Sequence, residues 1–165
     1  MSASIIHLGI SRHLLLAMLV ASTVVGSQAQ VSKKKYTQKD LPAPVLAAFQ
    51  KEYPKATIKE VSIEKSNGVT YWEIGSVDGK TTRDLLYLPE GKKVETEETI
   101  EYSQVPAVVR KTLSSQYPQG KVPKSEKLTK GNLVTYEFQV QDGSATHEVV
   151  IASDGKLLKG GMKAS

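Results

Sequence analysis

The chain states one pattern twice, with the second copy lying 64 residues after the first. Pro42 matches Pro106, Val45 matches Val109, Phe49 matches Leu113, and Tyr53-Pro54 matches Tyr117-Pro118. Farther on, Asp78-Gly79 matches Asp142-Gly143, and Glu90-Gly91-Lys92 matches Asp154-Gly155-Lys156. A fixed internal period signals one supersecondary unit used twice. Each copy is about 60 residues, which is marginal for an independent domain. The repeat therefore predicts two copies that share one hydrophobic core.

The N-terminus reads as a leader. Arg12 precedes an apolar run from Leu14 to Val25, and Ser27-Gln28-Ala29 follows with small residues where a signal peptidase reads. The run is too short to span a bilayer comfortably. Residues 1–29 are read as a signal peptide cut after Ala29, which leaves a mature chain from Gln30 to Ser165 without a transmembrane segment. Residues 30–39 read as a polar linker and 161–165 as a tail. Between them, 40–160 form a single domain, with repeat one over 40–100 and repeat two over 101–160.

The chain has no cysteine, which excludes disulfides, a lipid-anchored cysteine and a thiol nucleophile. Its formal charge is +5, and only Arg12 leaves with the leader. The lysines are interleaved with glutamates, so nucleic acid is not an expected partner. Lys33-Lys34-Lys35 is the one basic run and reads as a solvated segment.

Each copy opens with a helix. Val45, Phe49 and Tyr53 follow one another at i, i+4 and i+8, as do Val109, Leu113 and Tyr117. Pro42 and Pro44 suit a helix start. Pro54 and Pro118 end each helix at the preceding Tyr. Asp40 and Ser103 are candidate caps. Strands follow over 57–65, 69–77, 81–88 and 92–100, and again over 121–129, 133–141, 145–152 and 156–159. Turns such as Ser66-Asn67-Gly68 and Asp78-Gly79 make neighbouring strands antiparallel. The fold class is α+β: two tandem α-β-β-β-β repeats, the short helices packed on one face of an antiparallel sheet.

The period also assigns faces. Thr70, Trp72, Ile74 and Ser76 align with Val134, Tyr136, Phe138 and Val140, a plainly apolar set. Trp72 and Ile74 should point inward, and Tyr71 and Glu73 outward. Leu85 and Tyr87 align with Val149 and Ile151 as a second inward pair. Residues 121–129 contain Pro123 and lack matching alternation, so a short or edge strand is expected there.

These motifs resemble the PepSY-like family of β-lactamase-inhibitor-like exported proteins. The residues that carry the likeness are Leu41-Pro42, Tyr53-Pro54, Trp72-x-Ile74 and Glu90-Gly91-Lys92. They recur as Val105-Pro106, Tyr117-Pro118, Tyr136-x-Phe138 and Asp154-Gly155-Lys156. The resemblance implies a tandem fold with helices on one face and an exported, periplasmic or extracellular protein. It carries no catalytic motif with it.

Few residues offer chemistry. His147 is the only histidine after the leader and has no partner for a triad or a metal set. No serine lies in a nucleophile elbow. An enzyme is not expected, nor is a cofactor. Glu95, Glu97, Glu98 and Glu101 cluster between the repeats, but a strand sends alternate residues to opposite faces. The favoured reading is a solvated strand. The alternative is a small-ligand or calcium-responsive protein using Glu95, Glu97 and Glu98. Tyr71 on an uncovered sheet face could anchor a protein partner. The sequence thus reads as a monomeric, exported, non-enzymatic binding module for another envelope or secreted protein, with Tyr71, Glu73 and Arg83 as candidate contact residues.

Overall fold

The computed structural model describes residues 36–161, so the leader reading over 1–29, Lys33–Lys35 and the last four residues lie outside the described residues. Helix α1 spans Ala43–Glu52 and α2 spans Ala107–Gln116. The strands of the first repeat are β1 (Thr57–Ser66), β2 (Val69–Asp78), β3 (Thr81–Tyr87) and β4 (Lys93–Thr99). Those of the second are β5 (Lys121–Lys130), β6 (Leu133–Asp142), β7 (Ala145–Ala152) and β8 (Leu157–Lys159). They form one eight-stranded antiparallel sheet in sequence order, the meander expected from the short turns. No helix among the described residues is long and apolar enough to cross a membrane.

Both helices form for the expected reason. Val45 and Phe49 are buried on α1, and Val109 and Leu113 on α2. Each helix ends where the Tyr amide closes the last turn, Tyr53 on Phe49 and Tyr117 on Leu113, before its proline. The starts differ from expectation. Pro42 and Pro106 stand at the N-caps, without side-chain caps. A 3-10 turn precedes each helix and claims the candidate residues. Asp40 accepts from the amide and hydroxyl of Thr37, both at 2.8 Å, and Ser103 lies inside the second turn.

Three further expectations change. The core is not shared: Leu41, Val45, Phe49, Val61, Ile74, Leu85 and Tyr87 form one cluster. Val105, Val109, Leu113, Tyr117, Phe138, Val140, Val149 and Ile151 belong to a second. Each helix covers only its own four strands, because the repeats lie side by side along one sheet and meet through the β4–β5 ladder. Second, β5 is a full ten-residue strand in the middle of the sheet. Pro123 is tolerated because it falls in a register shift between Lys121 and Lys124, before pairing with β4 begins at Glu126. Third, the end of the presumed linker is structured. Tyr36 bridges to Val61, and its ring meets Trp72 edge-on at 5.5 Å. Trp72 is half-buried there, at the margin of its cluster.

The repeated acidic-Gly-Lys turn is a packing device. Gly91 and Gly155 have φ of 88° and 89°. A Cβ on Gly91 would sit 2.6 Å from the Pro44 carbonyl oxygen, and one on Gly155 would meet Val108, the repeat equivalent of Pro44. The turn thus lies against the first turn of its helix. Gly91→Ala should destabilise the protein by about 2 kcal/mol in denaturant melts, from positive φ and this clash combined. Gly79→Ala has positive φ with open space around it, so it should cost only about 1 kcal/mol.

Candidate functional site

The sheet has one covered face and one that no described element covers. Strand register assigns the open one, because residues directly opposite share a face. Ser62, Glu73, Leu86, Glu95 and Lys130 form one row across it. Glu60, Gly75, Asp84, Glu97 and Leu128 form the next. Beyond them Glu126 faces Glu137, and Gln139 faces Glu148. Carboxylates outnumber the lysines of this face, Lys124, Lys130 and Lys159, although the whole chain is basic.

Burial on this face is concentrated in its middle. Glu97 is 5% exposed, Glu126 7% and Thr135 4%, with Leu86 and Val150 buried among them. These side chains shield one another across the twisted sheet. Three lysines are already engaged: Lys124 with Glu126 at 2.7 Å, Lys130 with Glu95 at 2.9 Å and Lys159 with Glu148 at 2.7 Å. Glu97 has a buried Oε1 with no hydrogen-bond partner.

Burial and mutual repulsion hold these acids toward their protonated forms. Burial first, then Glu126, Glu137 and Asp84, pushes Glu97 up to about 9 against the pull of Lys124. Asp84 rises to about 6, from burial and then Glu73 and Glu126. Glu137 rises to about 7, from burial and then Glu148, which also hydrogen-bonds to it. Glu64 is raised as well, by burial and then Glu73.

The structure separates the residues singled out from sequence. Tyr71 and Glu73 lie half-buried on the open face, Tyr71 opposite Glu64, and Glu73 accepting from the Ser62 hydroxyl. Arg83 does not join them. It is two residues from inward Leu85, so alternation turns it to the helix side, where its Nε donates to Glu98 at 3.2 Å. Its guanidinium lies 5.1 Å from the Tyr53 ring centroid. His147, its repeat equivalent, stacks on Tyr117 at the same 5.1 Å, so both are packing partners of the helix-ending tyrosines. The acidic segment splits likewise: Glu95 and Glu97 face the open side, Glu98 the helix side, and exposed Glu101 lies before the second 3-10 turn. Among the described residues no three acidic or histidine side chains are placed to hold a metal ion.

Sequence reasoning missed Asp84, Glu126, Glu137 and Glu148 as members of this face. A signal was there. Glu73 and Glu137, and Asp84 and Glu148, are acids repeated at the same 64-residue period on outward strand positions.

The family model described as "Putative beta-lactamase-inhibitor-like, PepSY-like" matches residues 28–92 and again 76–159. The chain belongs to this PepSY-like family. Its two matches follow the two helix-and-meander units. Solved structures share the PepSY-like fold seen here. A "putative periplasmic" protein from Bacteroides eggerthii is 17% identical at a TM-score of 0.60, covering 72% of this chain and 86% of that one. A "DUF2874 family protein" from Bacteroides ovatus is 18% identical at 0.56, covering 72% and 85%. A BLIP-like protein from Bacteroides fragilis is 20% identical at 0.55, covering 72% and 84%. No curated protein matches the chain.

Proposed function

We propose that this PepSY-like protein is an exported, non-catalytic binding module of the cell envelope, inhibitor-like in the sense that it acts by occupying another protein. The open sheet face is the contact surface. The observation that carries this reading is the centre of that face, where charged and apolar side chains lie buried beneath no described element. Such a surface has already been partly desolvated, so a partner entering it displaces little ordered water. Tyr71, two positions from Glu73 on the same face, serves as an aromatic anchor. The leader-like N-terminus and the structural likeness to a BLIP-like protein and a "putative periplasmic" protein support export and binding.

The test is crosslinked capture from the organism's own envelope fraction with the chain beginning at Gln30. Tyr71→Ala combined with Glu73→Lys should cut recovery of the wild-type partner at least about tenfold while the melt still shows a folded protein. Unchanged capture would remove the open face as the site.

A further inference from the structure

We infer that the occupant of the open face is a cationic segment of the partner, its lysine or arginine side chains engaging the acidic centre of the face between β3 and β6. The inference rests on the reading of that face as the binding surface. Charge complementarity carries it. The centre of the face gathers Asp84, Glu97, Glu126 and Glu137 on adjoining strands, while the lysines of the face are held by Glu95, Glu126 and Glu148. Glu97 is the independent sign of a missing ligand: nine-tenths buried, with an oxygen that no donor reaches. A buried carboxyl oxygen without a donor is costly, and an entering guanidinium or ammonium satisfies it.

A single ion does not fit this layout. The acids are distributed over neighbouring strands at spacings of about 5 Å and do not converge three at a time. Several cationic heads on one segment match such a spread. Leu86 and Leu128 lie directly beside Glu95 and Glu97 in the cross-strand rows, so the aliphatic stems of lysine or arginine have apolar surface to lie on.

Binding of this kind expels protons. Glu97 is faced by Asp84 from β3, Glu126 and Lys124 from β5, and Glu137 from β6. Asp84 is faced by Glu73, Glu126, Lys124 and Glu60. Glu137 is faced by Glu148, Glu126 and Lys159. A cation favours the ionised form of each, so affinity should rise with pH through their raised range.

The test is calorimetric titration of the chain from Gln30 with a peptide alternating arginine and serine, against its glutamate–serine counterpart. The arginine peptide should bind at about pH 8, weaken roughly tenfold at about pH 5, and weaken at least roughly tenfold in the Asp84→Asn, Glu97→Gln double variant. The glutamate peptide should not bind. The double variant removes repulsion, so loss of fold is not its expected effect, and a melt verifies this. No binding of the arginine peptide, equal binding of both peptides, or binding indifferent to the double variant would overturn the cationic occupant. Should envelope capture still depend on Tyr71 and Glu73 in that event, the open-face reading stands and only the partner's chemistry is wrong.

Discussion

Phe138→Ala is expected to cost about 3–5 kcal/mol and to open the second half of the sheet while the first half stays protected from hydrogen exchange. Phe138 is fully buried against Val109, Leu113, Val149 and their neighbours, and truncation leaves a void that a close-packed interior refills poorly. Phe49→Ala, in the other cluster, should act on the first half. The two clusters share no residue, so the effects should add to within about half a kcal/mol. A single interior common to both repeats would instead give strong coupling and equal loss of protection over 36–99 and 100–161. Among the described residues, the only strand ladder joining the halves is the five-pair register from Glu95–Lys130 to Thr99–Glu126.

Glu97→Gln should stabilise the protein, by about 3 kcal/mol at about pH 8 and by well under 1 kcal/mol at about pH 5. Gains from a single polar substitution are uncommon, so the sign is informative. A carboxyl whose folded pKa lies above its unfolded value takes up a proton on folding. Its penalty is absent below the unfolded value of 4.5, grows as pH rises, and is complete above the folded value of about 9. Asp84 and Glu137 add penalties in the same direction that level off sooner, above about 6 and about 7. Wild-type stability should therefore fall from about pH 5 to about pH 9, the reverse of ordinary acid denaturation. The glutamine keeps the shape and removes the ionisation, and its amide can donate to the neighbouring carboxylates. Melting temperature at about pH 8 should rise by roughly 10 °C.

Much of the architecture was legible because the repeat doubled every local signal. Ile74 and Leu85 in one copy, and Phe138 and Val149 in the other, vouched for each other's inward position, and the turns fixed antiparallel pairing. What escaped depends on contacts far apart in sequence. Nothing local says that β5 joins β4, so Pro123 suggested an edge where the strand runs through the middle of the sheet. Two short repeats suggested a common interior, yet side-by-side docking along one sheet gives each helix its own cluster. Asp40 looked like a helix cap because the intervening 3-10 turn has no sequence period of its own.

The site was legible in part. Alternation placed Tyr71 and Glu73 on the open face. The same alternation, counted from Leu85, places Arg83 opposite, where it packs on Tyr53. The repeated acids Glu73/Glu137 and Asp84/Glu148 mark the open face in the sequence. The burial of Glu97 does not show there, since it arises from side chains that the assembled sheet brings together from β3 to β6.

The most direct measurement is a carbon-detected NMR titration of the Glu97 side-chain carboxyl in the wild-type chain. A midpoint well above neutrality is expected, falling when the arginine peptide is bound. A midpoint near the ordinary 4.5 would show a solvated, satisfied carboxylate, and the centre of the face would then hold no unsatisfied carboxyl for a partner to answer.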